Sequence, residues 1–119
     1  MRRHVPLILL AVLACACTSD RELVSDSLAS RHWHMGRWVA LCCAKPGTAA
    51  DGGAICLAPK TPAPAGCPEF GAAVDRQLDL TKLANETQVL GRLPADARAK
   101  VKAAGKAVET TEKAVPDGE

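Results

Sequence analysis

Apolar residues in the last part of the chain return at helical intervals. Phe70, Val74 and Leu78 recur every four positions, and Leu80, Leu83, Thr87 and Leu90 share one helical face. Asp79 sits where it could cap a second start, so one kinked helix and two short ones both fit. In "GRLP", Gly91 loosens the last turn and Pro94 pushes Leu93 out of helical backbone. Pro94 suits the first position of a new helix. Ala97, Val101, Ala104, Val108, Thr111 and Val115 then follow at spacings of 4-3-4-3-4. This is a coiled-coil rhythm carried by small side chains. It predicts a helix that packs on its predecessor as a hairpin, or on a partner's helix.

Periodicity fails between residues 45 and 68, where five prolines and four glycines fall among 24 positions. Such a density of breakers excludes a long helix, and "APKTPAPAG" predicts extended, polyproline-like chain. Upstream, "TSDRELVSDSLAS" is polar and reads as a tether or a short helix. Residues 5–14 are apolar almost throughout and follow Arg2 and Arg3. That run falls short of the about 20 residues a bilayer crossing needs, so an export signal fits it better. The expected organisation is a signal over residues 1–14, a tether over 15–30, a Cys/Pro/Gly-rich region over 31–68 and a helical region over 69–119. The expected fold is mostly α, with a loop-rich, disulfide-stapled N-terminal region and a C-terminal helical hairpin.

Composition narrows the function. The 119 residues allow one small domain, and the net charge of +2 belongs to the leader. Without Arg2 and Arg3 the chain carries thirteen basic and thirteen acidic residues. Nucleic-acid binding, which needs a clustered positive field, is not expected. Only Trp33, Trp38 and Phe70 are aromatic. An alanine-rich chain buries little apolar area, so crosslinks or a partner should assist the core.

The leader ends in "LILLAVLACACTSD", and these residues resemble the signal of bacterial lipoproteins. In that family an apolar stretch closes on a small residue and a cysteine, whose sulfur receives diacylglycerol before a peptidase cuts ahead of it. The resemblance implies lipidation at Cys15, after Val12-Leu13-Ala14, or at Cys17, after Ala14-Cys15-Ala16. An aliphatic residue three places upstream favours Cys15. The even count of four cysteines left behind favours Cys17. Family sorting rules retain a chain at the inner membrane when Asp follows the lipidated cysteine. Here that place holds Ala16 or Thr18, which implies the periplasmic face of the outer membrane. Ala14-Cys15-Ala16 also fits ordinary secretion.

Export to an oxidising compartment predicts disulfides among Cys42, Cys43, Cys56 and Cys67. Adjacent cysteines seldom bond each other, which leaves two pairings: Cys42–Cys56 with Cys43–Cys67, or Cys42–Cys67 with Cys43–Cys56. The rival is a metal site that adds His32 and His34, whose rings share a face if "HWH" is extended. The spacing holds no close ligand pair of the C-x₂-C kind, so these histidines are weak candidates and no cofactor is expected. Trp33, Met35, Trp38, Val39 and Leu41 read as one apolar patch, either core or bilayer interface. No nucleophile elbow or phosphate loop is present.

The expectation is therefore a small, non-catalytic envelope lipoprotein. A lipid would join it to the membrane, and its C-terminal helices would meet a protein partner. Two alternatives stand beside it. "CLAPKTPAPAGCPEF" and the helical end loosely resemble, in composition, the outer-membrane spanin subunits of phage host lysis. A periplasmic metal- or ligand-binding protein is the other.

Overall fold

A computed structural model describes residues 19–116. Cys15 and Cys17 lie outside the described residues. The described chain forms three helices and one two-stranded sheet, in the order α1 (Asp20–Cys42), β1 (Cys43–Thr48), β2 (Ala54–Pro59), α2 (Cys67–Leu90) and α3 (Ala95–Lys113). It is mostly helical, with two disulfides toward its N-terminal side and a C-terminal helix pair.

Helix α1 begins on a local signal. The Ser19 hydroxyl accepts a hydrogen bond from the Glu22 amide at 3.1 Å. Asp20 and Glu22 place negative charge in the first turn, where the helix dipole favours it. The helix then runs 23 residues to Cys42. It crosses the expected border between tether and cysteine region at residue 30, and "HWH" lies inside it. The end of α1 has no basic residue of its own. Lys60 supplies one from beyond the hairpin: its Nζ donates to the Leu41 carbonyl at 3.1 Å, and its backbone amide donates to the Cys42 carbonyl at 3.0 Å.

Part of the expected loop folds as a hairpin. β1 and β2 pair antiparallel, with Pro46 opposite Cys56 and Thr48 opposite Ala54, and the register shifts around Lys45. The turn closes through Ala49 and Gly53, with Gly52 at φ 86° and the Gly53 amide bonded to the Asp51 carboxylate. The breakers still exclude a long helix, as expected. They permit two short strands because Pro46 and Pro59 lie near strand ends and bulges of a two-stranded ribbon.

Helix α2 starts after Gly66, whose φ of 85° is left-handed, with Pro68 in the first turn. It continues without a break through Asp79, so the single-helix reading holds and the capped restart does not form. Its buried side chains are Cys67, Phe70, Val74, Gln77, Thr81 and Ala84. This seam has 3-4-3-4-3 spacing, and two of its members are polar. The Leu80–Leu83–Thr87–Leu90 face is instead half-buried to exposed. On α3 the expected stripe is the buried one, with Val101, Ala104 and Val108 in the core and Val115 just beyond the helix.

The three helices run up, down and up, and two apolar clusters fill the two ends of the bundle. At the disulfide end, Leu41, Cys42, Cys67, Phe70, Val74, Val108 and Val115 pack together, joined by Met35 and Trp38. At the opposite end, Leu23, Val24, Ala84, Leu93 and Val101 form the second cluster. Asp20 clasps that end. Its carboxylate accepts from the Leu93 amide at 3.0 Å and forms an ion pair with Arg98. The Leu93 amide first, and Arg98 with it, hold the Asp20 carboxyl below the ordinary carboxylate range.

The sign of that shift makes a prediction. A carboxyl depressed in the folded state contributes stability above its unfolded pKa and loses it as pH falls through the folded one. An Asp20→Asn variant should melt at a lower temperature than the parent at neutral pH. The gap should close as pH drops below about 4. A gap that stays constant down to strong acid would show that the charge does not clasp the bundle.

Candidate functional site

The chemistry-bearing side chains gather at the disulfide end and in the layer beneath it. Cys42 bonds Cys67, and Cys43 bonds Cys56. This is the second of the two expected pairings. Neighbouring side chains at the end of α1 diverge, so one sulfur faces α2 and the next faces β2. The first crosslink joins the end of α1 to the start of α2, and the second staples the hairpin.

Trp38 seals this corner. Its indole Nε1 donates to the Cys67 carbonyl at 3.1 Å. The ring lies so close to α2 that a Cβ on Gly71 would sit 2.9 Å from Nε1. Gly71 is therefore the residue that lets the indole dock. Met35, Trp38, Ile55, Gly71, Val74 and Asp75 border a cavity of about 280 Å³ here. Trp33 does not join them and is 65% exposed. Five helical steps turn it to another side from Trp38, so the expected tryptophan patch divides into a docked half and a free half.

A polar layer separates the two apolar clusters. His34 is buried against the edge of Phe70, ring centroids 6.4 Å apart. Its Nδ1 lies 2.7 Å from the Ser30 carbonyl, which can only accept, so Nδ1 carries a hydrogen. Its Nε2 lies 3.2 Å from Glu112 Oε2, and Arg37 Nε donates to Glu112 Oε1 at 3.0 Å. Glu112 thus binds α3 to two side chains of α1. Gln77 Nε2 donates to Ser30 Oγ at 3.2 Å, and the Thr81 hydroxyl donates to the Gln77 carbonyl at 2.6 Å. With that hydrogen committed, Ser27 is the donor in the 2.7 Å contact between the Ser27 and Thr81 hydroxyls. Gln77 Oε1 is buried without a hydrogen-bond partner.

Ser30, His34 and Glu112 stand in a row that looks like a nucleophile, base and acid. The proton positions argue against that use. Ser30 Oγ lies 3.2 Å from Nδ1, but that nitrogen is already protonated and donating to the carbonyl, so it cannot take the hydroxyl proton. The row instead clamps one helix to another.

The weak metal candidates separate. His32 is exposed and His34 is buried in the clamp, because two helical steps turn them about 200° apart. The extended geometry that would have set both rings on one face does not form. Among the described residues no group of three or more His, Cys, Asp or Glu side chains could hold a metal ion. All four disulfide cysteines were found in the sequence. The clamp residues Arg37, Gln77, Thr81 and Glu112 were missed. The buried 3-4 seam through Phe70 and Val74 could have located Gln77 and Thr81, but nothing in the sequence joined Glu112 to His34.

Fold and site together define a disulfide-stapled three-helix bundle with a polar interhelical clamp. The chain matches no family model, no curated protein and no solved structure.

Proposed function

We propose that this is a small bacterial envelope lipoprotein with a non-catalytic, structural or interaction role, held at the periplasmic face of the outer membrane. The observation that carries the reading is the apolar leader closing on Cys15 and Cys17, directly ahead of a bundle locked by two disulfides. Lipidation explains why a cysteine ends the leader. Export to an oxidising compartment accounts for the four cysteines downstream.

Acylation with more than one chain gives stable attachment, because each buried methylene contributes about 0.8 kcal/mol. No described helix is long and apolar enough to cross a membrane, so attachment in this reading comes from the lipid. The bundle then serves as a rigid body that presents a surface. A shallow concavity between α2 and α3, lined by Leu80, Leu83, Ala97 and Lys100 among others, is the surface this reading gives to a protein partner.

The test is metabolic labelling with palmitate. The parent chain should be labelled and sediment with membranes. Cys15→Ser and Cys17→Ser together should abolish both, and the single variants should identify the modified sulfur. Membrane attachment that survives in the double variant would overturn the reading.

A further inference from the structure

We infer that the bundle end opposite the disulfides is a membrane-docking surface, with Leu90 and Val89 entering the lipid interface. The inference rests on the lipid-anchor reading above.

Three observations carry it. Leu90 is 90% exposed and Val89 76% exposed, the two most exposed large apolar side chains among the described residues. Both close α2 beside Gly91, and the chain has no need of leucine or valine there for packing, since Leu93 fills the core. This end of α2 also lies beside the start of α1. The Leu93 amide bonds Asp20, and Ser19, Asp20, Arg92, Leu93 and Arg98 border one concavity. Finally, the candidate lipid sites are close in the chain. Ser19 follows Cys17 by two residues and Cys15 by four, so an extended link reaches about 7 or 14 Å. A lipid on either sulfur brings this end of the bundle, and not the disulfide end, to the bilayer.

The rim charge is mixed. Arg21 and Arg92 are exposed there, and so are Glu22 and Glu86. Attraction to anionic headgroups is therefore weak, and the burial of the two apolar side chains drives docking. Docking should depend little on the fraction of anionic lipid or on salt.

The test uses the full mature chain carrying Trp33→Phe and Leu90→Trp, with the Trp33→Phe chain as the reference that subtracts Trp38, in phosphatidylcholine vesicles with brominated acyl chains. Mass spectrometry first reports whether the chain from cells is acylated. A second preparation, Cys15→Ser, is coupled through Cys17 to a maleimide that carries one acyl chain, so docking is read whatever the native modification. The indole introduced at position 90 should emit to the blue of its value without vesicles and be quenched by bromine. In the singly coupled chain, Val89→Ser with Leu90→Ser should speed transfer between vesicles by roughly tenfold or more, because one acyl chain alone binds marginally. Both substitutions are at exposed positions, and an unchanged helical spectrum confirms folding.

An unquenched indole with water-exposed emission overturns the inference. So does a blue shift without quenching accompanied by a doubled mass, which would mean that a second copy covers the patch. An unacylated native chain overturns the anchor reading by itself, while the coupled chain still decides whether this end docks.

Discussion

Replacing Cys42 and Cys67 together with alanine will lower the unfolding free energy by about 3 to 4 kcal/mol, the chain-entropy value for a loop of this size. The two residues are 25 apart in sequence, and their bond joins the end of α1 to the start of α2. In the unfolded chain the link removes conformations that the free chain would otherwise explore. In the folded chain both cysteines are buried beside Phe70 and Leu41, so the loss has a packing part as well. The Cys43–Cys56 bond closes only 13 residues and holds a hairpin at the periphery. Its removal should cost less and leave helical content intact. Urea unfolding of both double variants checks the order. Equal losses would mean that the first crosslink does not organise the bundle.

The second large effect falls on Phe70. Its side chain is fully buried, at 0% exposure, in the centre of the cluster that unites all three helices. Phe70→Ala should cost about 3 to 5 kcal/mol, the range for removing a buried phenyl ring. A domain of this size has about 5 to 15 kcal/mol in total. The variant should therefore sit near the unfolding threshold at ordinary temperature, with its disulfides intact. The chain has three aromatic residues, and the other two are Trp33, which is exposed, and Trp38, which is half-buried. Calorimetry or thermal circular dichroism would measure the loss, and a change under 1 kcal/mol would mean that the cluster collapses around the gap.

The alanine-rich C-terminal stripe was legible because its 4-3-4-3-4 spacing survives packing unchanged. The disulfide set was legible through its count and the geometry of adjacent cysteines, down to two pairings. Helix α1 was legible only in part. Its polar first half lacks an apolar stripe, since Leu23, Val24 and Ser27 together make the buried face, and a serine does not register as core. Yet Ser19 and Glu22 form a capping pair that states the start of the helix plainly. Phe70 and Val74 are buried as their spacing predicts, but beyond them the face of α2 that packs is not the expected one, for the same reason. Gln77 and Thr81 occupy core positions, while Leu83 and Leu90, the more apolar residues, lie outside. Hydrophobic periodicity finds the greasiest face. In the second half of α2 the greasiest face is not the one its neighbours cover.

His34 could not have been placed from its neighbours in sequence. Its role depends on Glu112, 78 residues away, and on a helical "HWH" that an extended reading would have treated as a bidentate pair. Long-range pairing of single charges leaves no local trace.

Up-down-up helices put the two ends of the described chain at opposite poles. Asp20 lies at one, and Val115, against Gly66, lies at the other. A pull applied between Asp20 and the crosslinked corner travels along α1 into covalent sulfur, so that stretch cannot peel away from α2 at its far end. A pull on Val115 meets only non-covalent contacts of α3. Under load the third helix should detach while the first two stay hinged together, so the molecule has one fixed arm and one that can let go.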